Sequence, residues 1–350
     1  MIYIELLILV ISLAFLIKGS NIFIDNIIKL AKLVNISNFI IGLTVVAIGT
    51  SLPELSSAIA AAFLNNTDII IGNVAGSNIA NIALVLGVAT FFAALAIEKA
   101  VFEREGIFLL VITILLFVMS LNGLISRAEG SILFSIFILY ILYLYHSPLF
   151  AESTEQNLLR RYLNFGKLVT IHTLRNIKTG LDYTTYLNLI RKEKRASIYA
   201  YLKLIPLIGI SLAIIIYSSK YTISSAINIA TLLSIKTEII GITLLAIGTS
   251  LPELAIIITA AKKRKGNLII GTILGSNIYN LLIVLGISSM IVPISITAIS
   301  LYYLIPVLLL ITAFFLWFVR TSWVLKKPEG ILLLLVYILF LFGLSFWILL

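Results

Sequence analysis

Residues 42–87 of this chain recur 199 positions further on, without a gap, as residues 241–286. Gly49-Thr50-Ser51-Leu52-Pro53-Glu54-Leu55 returns unchanged as Gly248-Thr249-Ser250-Leu251-Pro252-Glu253-Leu254. Gly76-Ser77-Asn78-Ile79 returns as Gly275-Ser276-Asn277-Ile278, Asn81 as Asn280, and Val85-Leu86-Gly87 as Val284-Leu285-Gly286. Duplication produces such identity and chance does not. Any fold for this chain must hold two copies of one unit.

The copies lie in a succession of apolar runs long enough to cross a bilayer. The first is Ile2–Ile17, followed by an amphipathic stretch to Leu33. The second is Asn38–Leu64, interrupted at Gly49–Glu54; then come Ile69–Leu95, Ile107–Leu121 and Ile132–Tyr145. A polar segment, Ser147–Lys203, separates these from Leu204–Tyr217, Ile239–Ala261 (interrupted at Gly248–Glu253), Leu268–Val292, Leu301–Val319 and Ile331–Leu350. Five runs separate equivalent positions of the repeat. Five is odd, so the two copies cross the membrane in opposite directions, the plan of many secondary transporters. The predicted fold class is an all-α polytopic membrane protein, ten transmembrane helices in two inverted five-helix repeats. Its predicted parts are 1–146, a basic cytoplasmic loop at 147–203, and 204–350. A composition of 61% hydrophobic and 11% charged residues fits a chain whose outer solvent is lipid.

Charge placement predicts orientation and excludes some functions. With the N-terminus outside, the inner side holds Lys18, Lys29, Lys32, Lys99, Arg104, the polar segment, Lys262-Lys263-Arg264-Lys265, Arg320, Lys326 and Lys327. The outer side holds only Arg127, Lys220 and Lys236. This asymmetry puts both termini outside and the polar segment in the cytoplasm. The net charge of +10 is therefore a topology signal and not a nucleic-acid footprint. Ile2–Ile17 lacks a basic leader and reads as a retained helix. The chain has no cysteine, and its two histidines, His146 and His172, belong with polar sequence, so thiolate and imidazole chemistry are not expected. No cofactor or enzyme motif is present, and nothing calls for more than a monomer.

The repeated segment is where polar chemistry enters apolar sequence. Glu54 and Glu253 each stand inside a span, where a carboxylate costs on the order of 2.5 kcal/mol or more unless something compensates it. Pro53 and Pro252 lack an N–H and clash with the carbonyl four residues back, which frees carbonyls near Gly49 and Gly248. With Thr-Ser beside them, each copy gathers carbonyl, hydroxyl and carboxylate oxygens, the ligands hard cations prefer. Ser77 and Asn81 are four apart and share a helix face, as do Ser276 and Asn280. Gly72, Gly76, Gly271 and Gly275 have small-xxx-small spacing and read as close-packing positions.

These paired GTSLPE segments, each followed by GSN-I-x-N, resemble the cation/calcium antiporters, in particular the prokaryotic sodium/calcium exchangers. The resemblance covers nearly the whole membrane part. It implies exchange of Na⁺ for Ca²⁺ by alternating access. It implies ligands from Ala47 (carbonyl), Thr50, Ser51, Glu54, Ser77 and Asn81, and from Ala246 (carbonyl), Thr249, Ser250, Glu253, Ser276 and Asn280. It also implies that the first and sixth helices slide across the core. Several exchangers carry an aspartate where this chain has Asn280, so the cluster here offers two carboxylates. That number balances one Ca²⁺ and leaves +1 with three Na⁺, which predicts electrogenic exchange. The alternative is Ca²⁺/H⁺ antiport through the same glutamates, since a glutamate serves both. A cation channel fits less well, because isolated interior acids in two inverted repeats do not form a pore ring.

Overall fold

The structure is a computed structural model that describes residues 2–34, 37–146, 183–232 and 250–349. Among the described residues, eight helices are long and apolar enough to cross a membrane. In chain order the helices are α1 (Ile2–Val34), α2 (Asn38–Phe63), α3 (Thr67–Ala89), α4 (99–120), α5 (Arg127–His146) and α6 (Tyr183–Leu232). Then come α7, described from Leu251 to Lys262, α8 (Gly266–Ile291), α9 (Ser300–Ser322) and α10 (Lys327–Leu349). The amphipathic stretch read after the first span is not separate, because α1 runs unbroken to Val34. Likewise α6 begins at Tyr183, within the polar segment, and passes through Pro206 without a break.

Four short strands test the inversion. β1 (Leu95–Ala96) pairs antiparallel with β4 (Val324–Leu325), and β2 (Leu124–Ile125) with β3 (Ile294–Ser295). Between β1 and β2 stands α4, about 33 Å long at 1.5 Å per residue, so the two ribbons lie at opposite ends of the helices. β3 is the repeat mate of β1, yet it pairs with β2 at the other end. The two halves are thus inverted.

Backbone detail is duplicated as well. The π-helical turn Ala80–Val85 in α3 has its mate in Asn280–Val284 of α8, and Phe102–Gly106 in α4 has its mate in Ser300–Leu304 of α9. Left-handed residues fall at Asn65 and Arg264 (both φ 54) and again at Gly123 and Trp323. Arg264 and Trp323 are poor left-handed formers. The copied conformation at these sites reflects the fold, since local preference would not choose it.

Burial ranks the helices. The spanning window of α8 is 100% buried and that of α3 is 72%, against 17% for α1 and 22% for α5 and α10. α8 runs against the first half of α2 at backbone distance. A Cβ added at Gly271 would strike the Phe39 carbonyl, one at Gly275 the Leu43 carbonyl, and one at Gly42 would come 2.6 Å from the Leu268 oxygen. The glycines at 271 and 275 therefore do pack closely, while Gly72 and Gly76 meet no such neighbour among the described residues. On the outside, α1 and α6 form an antiparallel pair. Ser12 accepts from Thr222 at 2.9 Å, Glu5 from Asn228 at 3.0 Å, and Gly19 admits Ile214 and Ile215.

Candidate ion-binding site

The interruption at Gly49–Glu54 is a break in α2. Its first half ends at Thr50, Ser51 leaves helical geometry (φ −87°, ψ 6°), and the second half begins at Leu52. Ser250 repeats this (φ −90°, ψ 6°) just before the described part of α7. In each copy the proline occupies the first turn of the new half-helix, where its missing N–H costs nothing. Each glutamate then falls in that same first turn, at the positive end of the half-helix dipole. Thus Pro53 and Pro252 break the span and also place Glu54 and Glu253 where a carboxylate is favoured.

These elements converge at the centre of the molecule. The second half of α2 packs against the π turn that opens with Asn280, and α7 packs against the π turn that holds Asn81. Each glutamate's helix therefore meets the asparagine of the other repeat. Thr50, Ser51, Glu54, Ser77, Asn81, Ser250, Glu253, Ser276 and Asn280 are all buried to 1% exposure or less. Across the repeats, the Thr50 hydroxyl stands 3.4 Å from that of Ser276. The Glu54 and Glu253 carboxylates are near enough to repel each other when both are charged.

Twelve buried side-chain atoms lack a hydrogen-bond partner among the described residues, and seven of them belong to this group. They are Ser51 Oγ, Glu54 Oε2, Asn81 Oδ1, Ser250 Oγ, both carboxylate oxygens of Glu253, and Asn280 Oδ1. An unsatisfied buried polar atom costs about 1–3 kcal/mol, and more when charged, so native structures hold few of them. Here they are all oxygens, two residues are carboxylates, and both repeats contribute. That donor set fits a hard cation such as Ca²⁺ or Na⁺ and suits no soft metal. Among the described residues no cluster of three or more His, Cys, Asp or Glu occurs.

Two expected ligands, Ala246 and Thr249, lie outside the described residues. The Ala47 carbonyl is already engaged, accepting the Ser51 N–H at 3.0 Å and the Thr50 hydroxyl at 3.3 Å. To bind an ion it would have to give up one of these. The sequence reading missed two residues of the centre, Asn78 and Asn277, which belong to the GSN motif but received no role. Asn78 Nδ2 donates to the Asn277 main-chain carbonyl at 3.2 Å, and both residues are fully buried. Their signal was in the sequence, as amides duplicated at the same offset in apolar helix. Asn73, also unassigned, donates to the Glu54 carbonyl oxygen at 3.1 Å.

Comparison with known proteins gives the family. The family model described as sodium/calcium exchanger protein matches residues 4–146 and 203–346, most of both halves.

The chain belongs to the sodium/calcium exchanger family.

Within that family it is 35% identical to the sodium/calcium exchanger MaX1 of Methanosarcina acetivorans, over 97% of this chain and 98% of that one. It is 31% identical to the inner membrane protein YrbG of Escherichia coli, over 75% and 73%. Among solved structures, the sodium-calcium exchanger NCX_Mj superposes with a TM-score of 0.75 at 27% identity, covering 97% of this chain and 98% of that one. The two stretches that the exchanger family model matches leave out residues 147–202, most of the polar segment.

Proposed function

We propose that this protein exchanges Na⁺ for Ca²⁺ across a membrane by alternating access. In this reading the ions are held by Thr50, Ser51, Glu54, Ser77 and Asn81 of one repeat and Ser250, Glu253, Ser276 and Asn280 of the other, with Thr249 and the carbonyls of Ala47 and Ala246 completing the set. The observation that carries it is the group of seven buried, partnerless oxygens at the meeting of two inverted broken helices. Ca²⁺ takes 6–8 oxygens and neutralises two carboxylates, while Na⁺ uses the neutral hydroxyl and amide oxygens as well. The names of the relatives point the same way.

Alternating access is assigned to the α1–α6 pair. It stands at the periphery, its spanning windows only 17% and 28% buried, and reaches the site's helices directly, since α1 packs on α7 and Leu212 of α6 fills the space beside Gly49. A slide of this pair would open one end of the site while closing the other. The exchanger sits in the cell membrane as a monomer in a lipid bilayer, with the polar segment cytoplasmic and both termini outside, as its loop charges indicate.

The test is calcium uptake by sodium-loaded proteoliposomes diluted into sodium-free calcium buffer, with pH clamped by a protonophore. Uptake should require the sodium gradient and should be lost in Glu54→Ala and Glu253→Ala. Uptake that ignores sodium but follows an imposed pH gradient, with the protonophore left out, would replace this reading with Ca²⁺/H⁺ antiport.

A further inference from the structure

We infer that Asn78 and Asn277 are positioning residues, each orienting the site asparagine of the opposite repeat so that its oxygen faces the ion. The inference rests on the proposed binding of cations by Asn81 and Asn280. An asparagine amide has nearly the same shape either way round, with an acceptor at one end and two donors at the other. In the wrong orientation it would aim N–H groups at a cation. Only its hydrogen bonds decide.

The decision begins at a main-chain carbonyl. The Asn277 carbonyl can only accept, so the Asn78 atom facing it at 3.2 Å must be Nδ2. Asn78 therefore turns Oδ1, which can only accept, toward Asn280. Asn280 must answer with its Nδ2, at 3.0 Å. Its own Oδ1 is left at the far end, buried and without a partner among the described residues. The mirror contact, with Asn81 Nδ2 donating to Asn277 Oδ1 at 3.2 Å, leaves Asn81 Oδ1 free in the same sense. Asn277 Nδ2, however, has no partner among the described residues, so only Asn78 is anchored at a main-chain carbonyl and Asn277 takes the role through its place in the repeat. The residues of the two contacts, 81 with 277 and 280 with 78, exchange under the 199-residue offset. The four amides thus straddle the axis that relates the repeats, with the orienting chain complete on the Asn78–Asn280 side.

Asn78 could instead merely join two helices, and a double-substitution cycle tells these roles apart. In proteoliposomes, Asn78→Leu should raise the Ca²⁺ concentration for half-maximal sodium-driven uptake about ten- to a hundredfold, with the maximal rate little changed. An Asn280→Asp protein presents an oxygen whichever way its side chain turns. In that background Asn78→Leu should add no further loss, to within about twofold. An equal loss in both backgrounds would make Asn78 a packing residue and overturn the inference, and so would no loss in the Asn280 protein. Asn280→Ala separates the two levels of the reading. If it leaves half-saturation unchanged, the asparagine ligands themselves are wrong. If it raises half-saturation while Asn78→Leu does not, only the orienting role fails. Should Asn78→Leu not reach the membrane, the mate pair Asn277→Leu with Asn81→Asp gives the same readout. Failure of both leucine variants to fold would assign the four amides to structure and overturn the proposal.

Discussion

A membrane potential of 100 mV is worth about 2.3 kcal/mol for each elementary charge moved across it. The structure places two acidic residues, Glu54 and Glu253, at the meeting of α2, α3, α7 and α8. The other fully buried acid among the described residues, Glu105, is paired with Arg104 and hydrogen-bonded by Tyr140, so it adds no net charge. Asn81 and Asn280 are neutral. If the proposed site takes one Ca²⁺ or three Na⁺, it would be neutral with the first and carry one positive charge with the second. On that count one charge would cross per cycle, entirely in the sodium-loaded step. At about 1.4 kcal/mol per factor of ten, 100 mV should shift the calcium accumulation ratio at zero net flux about fiftyfold. The assay is proteoliposomes with a potassium gradient and valinomycin setting the potential. Tracer calcium-for-calcium exchange, which moves a neutral site, should ignore the same potential. Asn280→Asp adds one negative charge, so the calcium-loaded site becomes charged and the sodium-loaded site neutral. The voltage dependence should therefore pass to calcium-for-calcium exchange. An accumulation ratio that does not respond to potential would refute the three-for-one count. A voltage-sensitive calcium-for-calcium exchange in the unsubstituted protein would refute the two-carboxylate count.

Three further outcomes follow from the packing. Glu253→Gln should abolish sodium-driven calcium uptake and the calcium-induced rise in thermal midpoint, yet raise the midpoint in ion-free detergent. The reason is that both carboxylate oxygens are buried without a partner and an uncompensated charge there costs several kcal/mol; an unchanged or lower ion-free midpoint contradicts this. Gly275→Leu should give little monodisperse protein on size exclusion, since even a Cβ meets main chain and overpacking typically costs about 1–3 kcal/mol or more. Gly209→Ala, with open space around it, should behave as the unsubstituted protein, and equal behaviour of the two variants would contradict the close α2–α8 crossing. Lys263→Gln removes the 2.6 Å ion pair with Asp25 that ties α7 to α1; both side chains are partly exposed, so the stability loss should stay within about 1 kcal/mol in a thermal melt.

What the sequence determined by itself was the architecture and the polar residues that meet at its centre. Apolar run length is dictated by bilayer thickness, and an identical segment at a fixed offset can only be a repeated unit, so the ten spans and the two copies were legible without coordinates. The odd number of intervening spans made the inversion an arithmetic consequence, and a carboxylate next to a proline in such a span marked the centre. Only the tertiary structure decided the rest. No local preference puts Arg264 or Trp323 in the left-handed region; the turns they occupy require it, as the same conformation at their repeat mates Asn65 and Gly123 shows. The unbroken run of α1 to Val34 and of α6 from Tyr183 shows only in the structure. The orientation of the Asn280 amide depends on atoms about 200 residues away in the chain, because an amide's shape does not fix its direction and a hydrogen bond to the opposite repeat does.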